Sequence, residues 1–534
     1  MREFGQNFTP EQQIAPYKYK DKVRELYPDS GMWDYLRYDE EGNLWINNLR
    51  IKDVIEDVAT SDYSGTPLEI TDTTIIERRT KEWEQLTQRV AEKVGYTGGF
   101  EYFYAAKANR ASEFVHAAIR TGWNSETSSK QDLDDLSFLE SQGLIDKSKL
   151  KIINNGFKLP PDNRWDRVRE EAETNKSTVI FEHSKETESE PIATYAETII
   201  EMRKKGFNIA PILDSGEVDY FINNALQMEV GLRLKFGKVS TDEELSKLTS
   251  RFGMKWDELQ KEADRIDDSC NLELTMLHAM VGAAETIKEE DFAQHLSFGL
   301  DKYFALKATH NKLTYFNIGG GIPPMSEKYD HEKFLEIFLT KAKQKAEQAG
   351  LPEPVITFEL GSYVAAEAGF YVFDVIQQKE NSVDVDSKKV DWMLLDGSLI
   401  EAIPDMLLIQ RSFNILAAEY ANSETTQVLL GDLTCDSDGR YPPKAQEGQK
   451  VLIPDVGIKN FVVITGVGAY QEQLAGVRGG HHCGLLEAAE VIVEKRNDGQ
   501  TYARVMPRQT LIESQDIFGY TPKHVDALKK TVKS

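Results

Sequence analysis

Cysteine is nearly absent from the chain, with three residues in 534: Cys270, Cys435 and Cys483. They are too few and too scattered for a disulfide framework, and none stands at zinc-ligand spacing from another. No apolar run approaches the ~20 residues that cross a bilayer. The opening MREFGQNFTPEQQIAPYKYK also lacks the apolar centre of a secretory leader. The expectation is therefore a cytoplasmic protein with no membrane partner. Positive charge is in deficit as well, since 63 Lys and Arg against 88 Asp and Glu leave −25. That argues against a nucleic-acid partner, because binding a phosphate backbone depends on clustered cations. An anionic cofactor, if there is one, must be held locally. Internal repeats, low-complexity tracts and long Gly/Ser linkers are missing too, so the domains must join compactly.

What is present is a chain too long for one hydrophobic core, in which short apolar runs alternate with helical stretches from about residue 80 to 365. The spacing predicts helices over Ile76–Val94, Ala111–Thr121, Ile192–Lys205, Asp257–Ile266 and His331–Ala349. Candidate strands are Tyr102–Ala106, Trp123–Glu126, Lys151–Asn154, Thr178–Glu182, Ile209–Leu213, Val230–Lys235, Leu274–Met280, Leu313–Ile318 and Val355–Glu359. These are nine, one more than a closed barrel needs, and Thr178–Glu182 is assigned to an insertion within Asn163–Lys205. The alternation fits a (β/α)8 barrel or a doubly wound sheet, and composition does not choose between them. After about residue 366 the runs FYVFDVI, VDWMLLDG, TQVLLGDLTCDS, KVLIP, FVVITGVGAY and RVMPR predict a β-rich domain. GNLWINNLRI near the N-terminus has the same texture.

Five segments carry chemistry. In FEYFYAAKANR, Lys107 ends an aromatic strand; a surface lysine is the ordinary reading, a desolvated amine that attacks carbonyls the reactive one. In FNIGGGIPP, Gly319, Gly320 and Gly321 follow a strand, as a tight turn or as a cradle of backbone N–H groups for an anion. In ITFELGSY, Glu359 stands at a strand end close to Gly361, where a carboxylate can form an ion pair or hold a ring nitrogen protonated. LLGDLTCDSDGR places Cys435, Asp436 and Asp438 in one turn, and DSDG lacks the remaining ligands of a calcium loop. In ITGVGAYQEQLAG, small neighbours let Tyr470 approach a ligand. His481, His482 and Cys483 are adjacent with no further cluster nearby in sequence, so no metal site is expected.

Together and in this order, these segments resemble the fold-type III pyridoxal-phosphate decarboxylases. YAAKAN, ETSSK, INNGFK, SRFGM, FNIGGG and FELG look like successive motifs of that family over roughly residues 80 to 490. GDLTCDSDG, VGAYQEQLAG and NNGFK look most like the biosynthetic arginine decarboxylases. The resemblance implies an α/β fold, a (β/α)8 TIM-like barrel plus a β-rich second domain of sandwich or barrel form. The barrel would span residues 81–365, with an insertion near 163–205. The second domain would comprise 366–534, with residues 1–80 contributing to it. It implies that Lys107 holds pyridoxal 5'-phosphate covalently, that Gly319–Gly321 and Tyr470 hold the phosphate, and that Glu359, with Gly361 beside it, faces the pyridine nitrogen. Cys435 would return a proton to the substrate α-carbon, and Asp436 would bind the distal cation. Asp438 and Glu126 are further carboxylates for a planar guanidinium. A homodimer with shared active sites, acting on a basic amino acid, is implied as well.

The chain departs from the family pattern at three places. Met280 and Ala283 stand where the family has a ring-stacking histidine and a serine, and Ser362 where it has an arginine. His278, on the same strand, and Arg233 are the residues that can compensate. Decarboxylation of L-arginine to agmatine is the leading expectation. Ornithine, lysine, diaminopimelate or a carboxylated polyamine are alternative substrates, and a non-catalytic binding or regulatory relative is the alternative of another kind.

Overall fold

Eight short parallel strands close into a barrel, in a computed structural model that describes residues 18–532 apart from 29, 61–64, 159–192, 285–286, 384–388, 447 and 496–500. In chain order the strands are Phe100–Ala105, Asn124–Thr127, Lys151–Asn154, Asn208–Leu213, Met228–Arg233, Leu272–His278, Tyr315–Asn317 and Val355–Leu360. The eighth closes on the first in the register Glu359↔Phe103. A closed barrel decides against a doubly wound sheet. Each strand lies within two residues of its predicted position, because a strand buried by a helix outside and side chains inside reads as a short apolar run. The sixth ends at His278, two residues before the predicted Met280. The ninth candidate, Thr178–Glu182, lies outside the described residues. Phe103, Ile153, Ala210, Ile212 and Met276 fill the barrel from within.

The helices carry their own start and stop signals. Asp72 caps Thr73–Val94 by accepting the Thr74 N–H, and Gly95 ends that helix at φ 70°. A reciprocal Ser129–Asp132 capping box starts Lys130–Ser141. Among the described residues no helix is long and apolar enough to cross a membrane.

The second layer is a ten-stranded mixed sheet. Gly369–Val383 is its spine, pairing with Lys389–Leu395, Phe461–Thr465 and Leu68–Asp72. Leu68–Asp72 thus inserts between strands from the other end of the chain, parallel to Ala489–Lys495. The GNLWINNLRI segment forms instead a small sheet of its own, Leu36–Tyr38, Leu44–Ile46 and Leu49–Arg50. Arg79 ties the parts together: its Nε is 2.6 Å from Glu367 Oε2 with both side chains fully buried, and its Nη2 donates to Gly31 O. Removing one partner of such a pair would leave a buried charge uncompensated.

Candidate active site

All eight strands deliver a polar or charged side chain to one end of the barrel, the end where their C-termini lie. In chain order these are Lys107, Glu126, Asn155, Asp214, Arg233, His278, Asn317 and Glu359. Lys107 sits in a single 3-10 turn, Ala106–Ala108, that follows the first strand. Its side chain is reachable by water yet walled by protein, because it stands in the barrel mouth. Its ammonium is held above the ordinary lysine range, first by Glu126 and then, against burial, by Tyr470 and Glu359.

Glu359 is fixed on both oxygens. Asn317 Nδ2 donates to Oε1 at 2.7 Å, and Asn155 Nδ2 to Oε2 at 2.8 Å. Each carboxylate oxygen keeps a further lone pair for a third donor. Burial alone would raise this carboxyl, yet it lies well below the usual carboxylate range. His278 Nε2 is 3.7 Å away. Burial pushes the imidazole down, against the pull of Glu359. Against its own burial, Glu359 is kept ionised by His278 first, then by Lys107 and the Asn317 amide. Both ring nitrogens of His278 are buried without a hydrogen-bond partner.

Glu126 contrasts with Glu359. Burial, with repulsion from Glu359, outweighs the pull of Lys107 and pushes it up to about 7. Its Oε1 accepts from Ser128 Oγ at 2.8 Å and Asn155 Nδ2 at 3.0 Å, while Oε2 is buried and unpartnered. Asn155 thus bridges the two carboxylates. Glu126 belongs to the barrel mouth, apart from Asp436 and Asp438 within the chain.

The glycine turn is packed tightly. A Cβ on Gly320 would lie 2.4 Å from Glu359 O, and one on Gly321 2.2 Å from Gly282 O. Met280 packs directly against Gly319, and Ala284 N–H donates to Gly321 O. Backbone packing alone therefore requires glycine here. The Gly319 N–H is already taken by Asn317 Oδ1 at 2.8 Å, which leaves the amides of Gly320 and Gly321 to offer an anion. The strand ends at His278, and Met280 beyond it faces this turn.

Arg233 pairs in register with His278 on the neighbouring strand. Burial lowers its pKa, and its guanidinium lies 4.5 Å from the centre of the Phe252 ring. Among the described residues it makes no ion pair, so its guanidinium, like the Lys107 ammonium, is available to the mouth. Gly361 stands behind Lys107, where a Cβ would meet Ala108 Cβ at 2.7 Å. Tyr470 clasps the same turn from the sheet domain: its N–H donates to Ala108 O at 2.6 Å, at φ 69°.

Cys435, Asp436 and Asp438 lie elsewhere, at the tip of a hairpin closed by Leu430↔Tyr441 and Gly431↔Arg440. Asp438 pairs with Lys444 at 2.9 Å. Cys483 and His482 meet this tip, with Cys435 Sγ 3.4 Å from Cys483 Sγ and His482 Nε2 3.6 Å from Asp436 Oδ2. The HHC segment does have neighbours in space, which its sequence surroundings conceal. Among the described residues no group of three could hold a metal ion. Among the described residues no hydrogen bond or ion pair joins this cluster to Lys107.

Sequence reading missed Asn155, Asn317 and Ser128, although all three lie within quoted motifs. It also missed Lys158, fully buried in NNGFK, with Nζ 3.3 Å from Glu217 Oε2. Nothing local signals that these side chains turn inward.

The whole arrangement, barrel and sheet together, superimposes on the biosynthetic arginine decarboxylase of Campylobacter jejuni with a TM-score of 0.72 at 17% identity, covering 96% of this chain and 93% of that one. Its fold is that of the fold-type III decarboxylases. A diaminopimelate decarboxylase from M. jannaschii has the same fold, with a TM-score of 0.66 at 16% identity over 90% of this chain and 97% of that one. So has a protein solved in complex with PLP and cadaverine, with a TM-score of 0.54 at 15% identity over 80% and 90%. No protein-family model matches the chain. Two curated relatives, both biosynthetic arginine decarboxylases, match in sequence. That of Parasynechococcus marenigrum is 22% identical over 363 residues, 64% of this chain and 50% of that one. That of Xanthomonas axonopodis pv. citri is 29% identical over 154 residues, 28% and 23%. The chain spans half or less of the length of these relatives in the matched regions.

Proposed function

We propose that the chain is a pyridoxal-phosphate-dependent decarboxylase of a basic amino acid, with L-arginine, giving agmatine, as the first substrate to test. The observation that carries this reading is a lysine reaching into the barrel mouth between two buried carboxylates of opposite character, one held ionised and one held near neutral pH. The donor set fits the cofactor: the Lys107 amine, the doubly anchored Glu359, the partnerless imidazole of His278, and Arg233 with the amides of Gly320 and Gly321 for the phosphate. When bound, pyridoxal phosphate supplies an electron sink for the carbanion left as carbon dioxide departs.

The residues of the chain do the rest. Glu359 holds a proton on the ring nitrogen, because an ionised carboxylate in a buried site favours the positive form of its neighbour. Glu126 Oε2, unpartnered and titrating near neutral pH, takes the proton that Lys107 must lose before its amine can attack a carbonyl. Tyr470 keeps the Lys107 turn in place from the sheet domain. Cys435 supplies a proton to the α-carbon, and Asp436 accepts hydrogen bonds from the distal cation. Since these two lie apart from Lys107 within one chain, the reading requires a homodimer in which the hairpin tip of one subunit completes the mouth of the other.

The test is an absorption spectrum with and without added pyridoxal phosphate, for the protein and for Lys107→Ala, alongside carbon dioxide release from arginine, ornithine, lysine and diaminopimelate. A visible band lost in the variant and release from arginine are expected. Release from another substrate would keep the chemistry and replace the specificity. The closure of Gly282–Ala284 over the glycine turn, with no hydroxyl at Ala283, favours a second reading, a relative without catalysis. A folded protein with neither band nor turnover would establish it.

A further inference from the structure

Two of the three cysteines, 48 positions apart, meet at the tip of the hairpin. Their sulfurs are 3.4 Å apart, and Cys435 N–H also donates to Cys483 Sγ at 3.4 Å. Both side chains are exposed, so a small oxidant can reach them. The contact is built on both sides. Asp432 accepts the Thr434 N–H at 2.9 Å and leaves no room for a Cβ on Gly439, which fixes the tip that carries Cys435. Cys483 sits at φ 57°, a left-handed conformation that a cysteine adopts only when its surroundings impose it. His482 approaches Asp436 from the same short turn. The hydrogen bond with Cys483 is the main influence that raises the Cys435 thiol above its ordinary range.

We propose that Cys435 and Cys483 form a reversible dithiol–disulfide couple that withdraws the Cys435 thiol when oxidised. The oxidant is a low-molecular-weight disulfide such as glutathione disulfide. The Cys435 thiolate attacks it, one glutathione leaves, and a mixed disulfide forms. The Cys483 thiolate then attacks the Cys435 sulfur and expels the second glutathione. One S–S bond has formed and one has broken, two protons and two electrons have passed to two glutathione molecules, and no other reactant is needed. A side-chain rotation separates the present contact from a bond of about 2.0 Å. The consequence for turnover rests on the reading of Cys435 as the proton donor; the couple itself does not.

The experiment uses the full chain carrying Cys270→Ser, so that only the two thiols count, at mildly alkaline pH with glutathione disulfide. Free-thiol titration should fall from two per chain to none. Non-reducing peptide mapping should show Cys435 linked to Cys483 within one chain, and dithiothreitol should reverse both. Adding Cys483→Ser should stop the sequence halfway, with glutathione retained on Cys435 and no link. Thiols that stay reduced, separate adducts on both cysteines, or links only between chains would overturn the couple. Carbon dioxide release from arginine is read in parallel and should be lost in the linked form and restored by reduction. Turnover that persists in fully linked protein would overturn the control of turnover by the couple, and with it the reading of Cys435 as the proton donor. Absence of turnover in the reduced protein would strike the decarboxylase reading and leave the couple standing.

Discussion

The barrel mouth and the hairpin tip carry the same residue types under opposite physical regimes. In the mouth, carboxylates are buried and their charge is set by neighbours: Glu359 is kept ionised by His278, Lys107 and the Asn317 amide, while Glu126, joined to it through Asn155, is pushed up to about 7. At the tip, Asp436, Asp438 and two thiols stand in solvent, where a pair such as Asp438–Lys444 adds little to stability. Buried groups are therefore tuned by the fold, whereas exposed groups acquire their role only when something covers them. A homodimer is the covering that the proposed function calls for.

The predictions test that contrast, beginning with the largest effect. Lys107→Ala should remove the visible cofactor band and all turnover while the protein stays folded, because the side chain stands in the barrel mouth and is not part of the apolar core; spectroscopy and circular dichroism check it. Cys435→Ser should lower turnover by about 10²–10⁴-fold, the usual weight of one proton-transfer group. The melting temperature should not move, since the thiol is exposed. If the melting temperature moves and turnover does not, the tip is structural and the comparison fails.

Gly320→Ala should cost about 1–3 kcal/mol in denaturant unfolding, since its Cβ would press on a carbonyl held by strand pairing. Glu126→Gln addresses the electrostatics. A carboxyl raised from its ordinary value to about 7 gives stability that is complete below the unfolded pKa and is lost as pH rises through about 7. The variant should therefore be more stable than the parent at about pH 8 and lose that advantage by about pH 4, read as melting temperature against pH. Asp438→Ala should change stability least, because its ion pair is exposed. An effect on the Michaelis constant for arginine without a change in melting would place this carboxylate at a substrate.

Much of the fold was legible because its signals are local. The alternation of short apolar runs with helices located every barrel strand to within two residues. Lys107 and Glu359 declared themselves by standing at strand ends, where a barrel displays its side chains. Besides Leu68–Asp72, three sheet strands were passed over: Asn414–Ala417 and Arg440–Tyr441, which are short, and Ala489–Lys495, which is interrupted by charge. Leu68–Asp72 gave no hint of its partner, which begins 297 positions later at Gly369.

The sequence by itself determined the class of the fold, the order of its motifs, and which residues could bear chemistry, because each depends on neighbours within a helical turn or along a strand. Tertiary structure alone decided which of them meet. Asn155 reaches Glu359 across 204 positions, Tyr470 clasps the turn of Lys107 from another domain, and Cys435 finds Cys483 across 48. Those contacts are set by barrel closure and by the docking of the sheet, and no local pattern of apolar and polar residues encodes them.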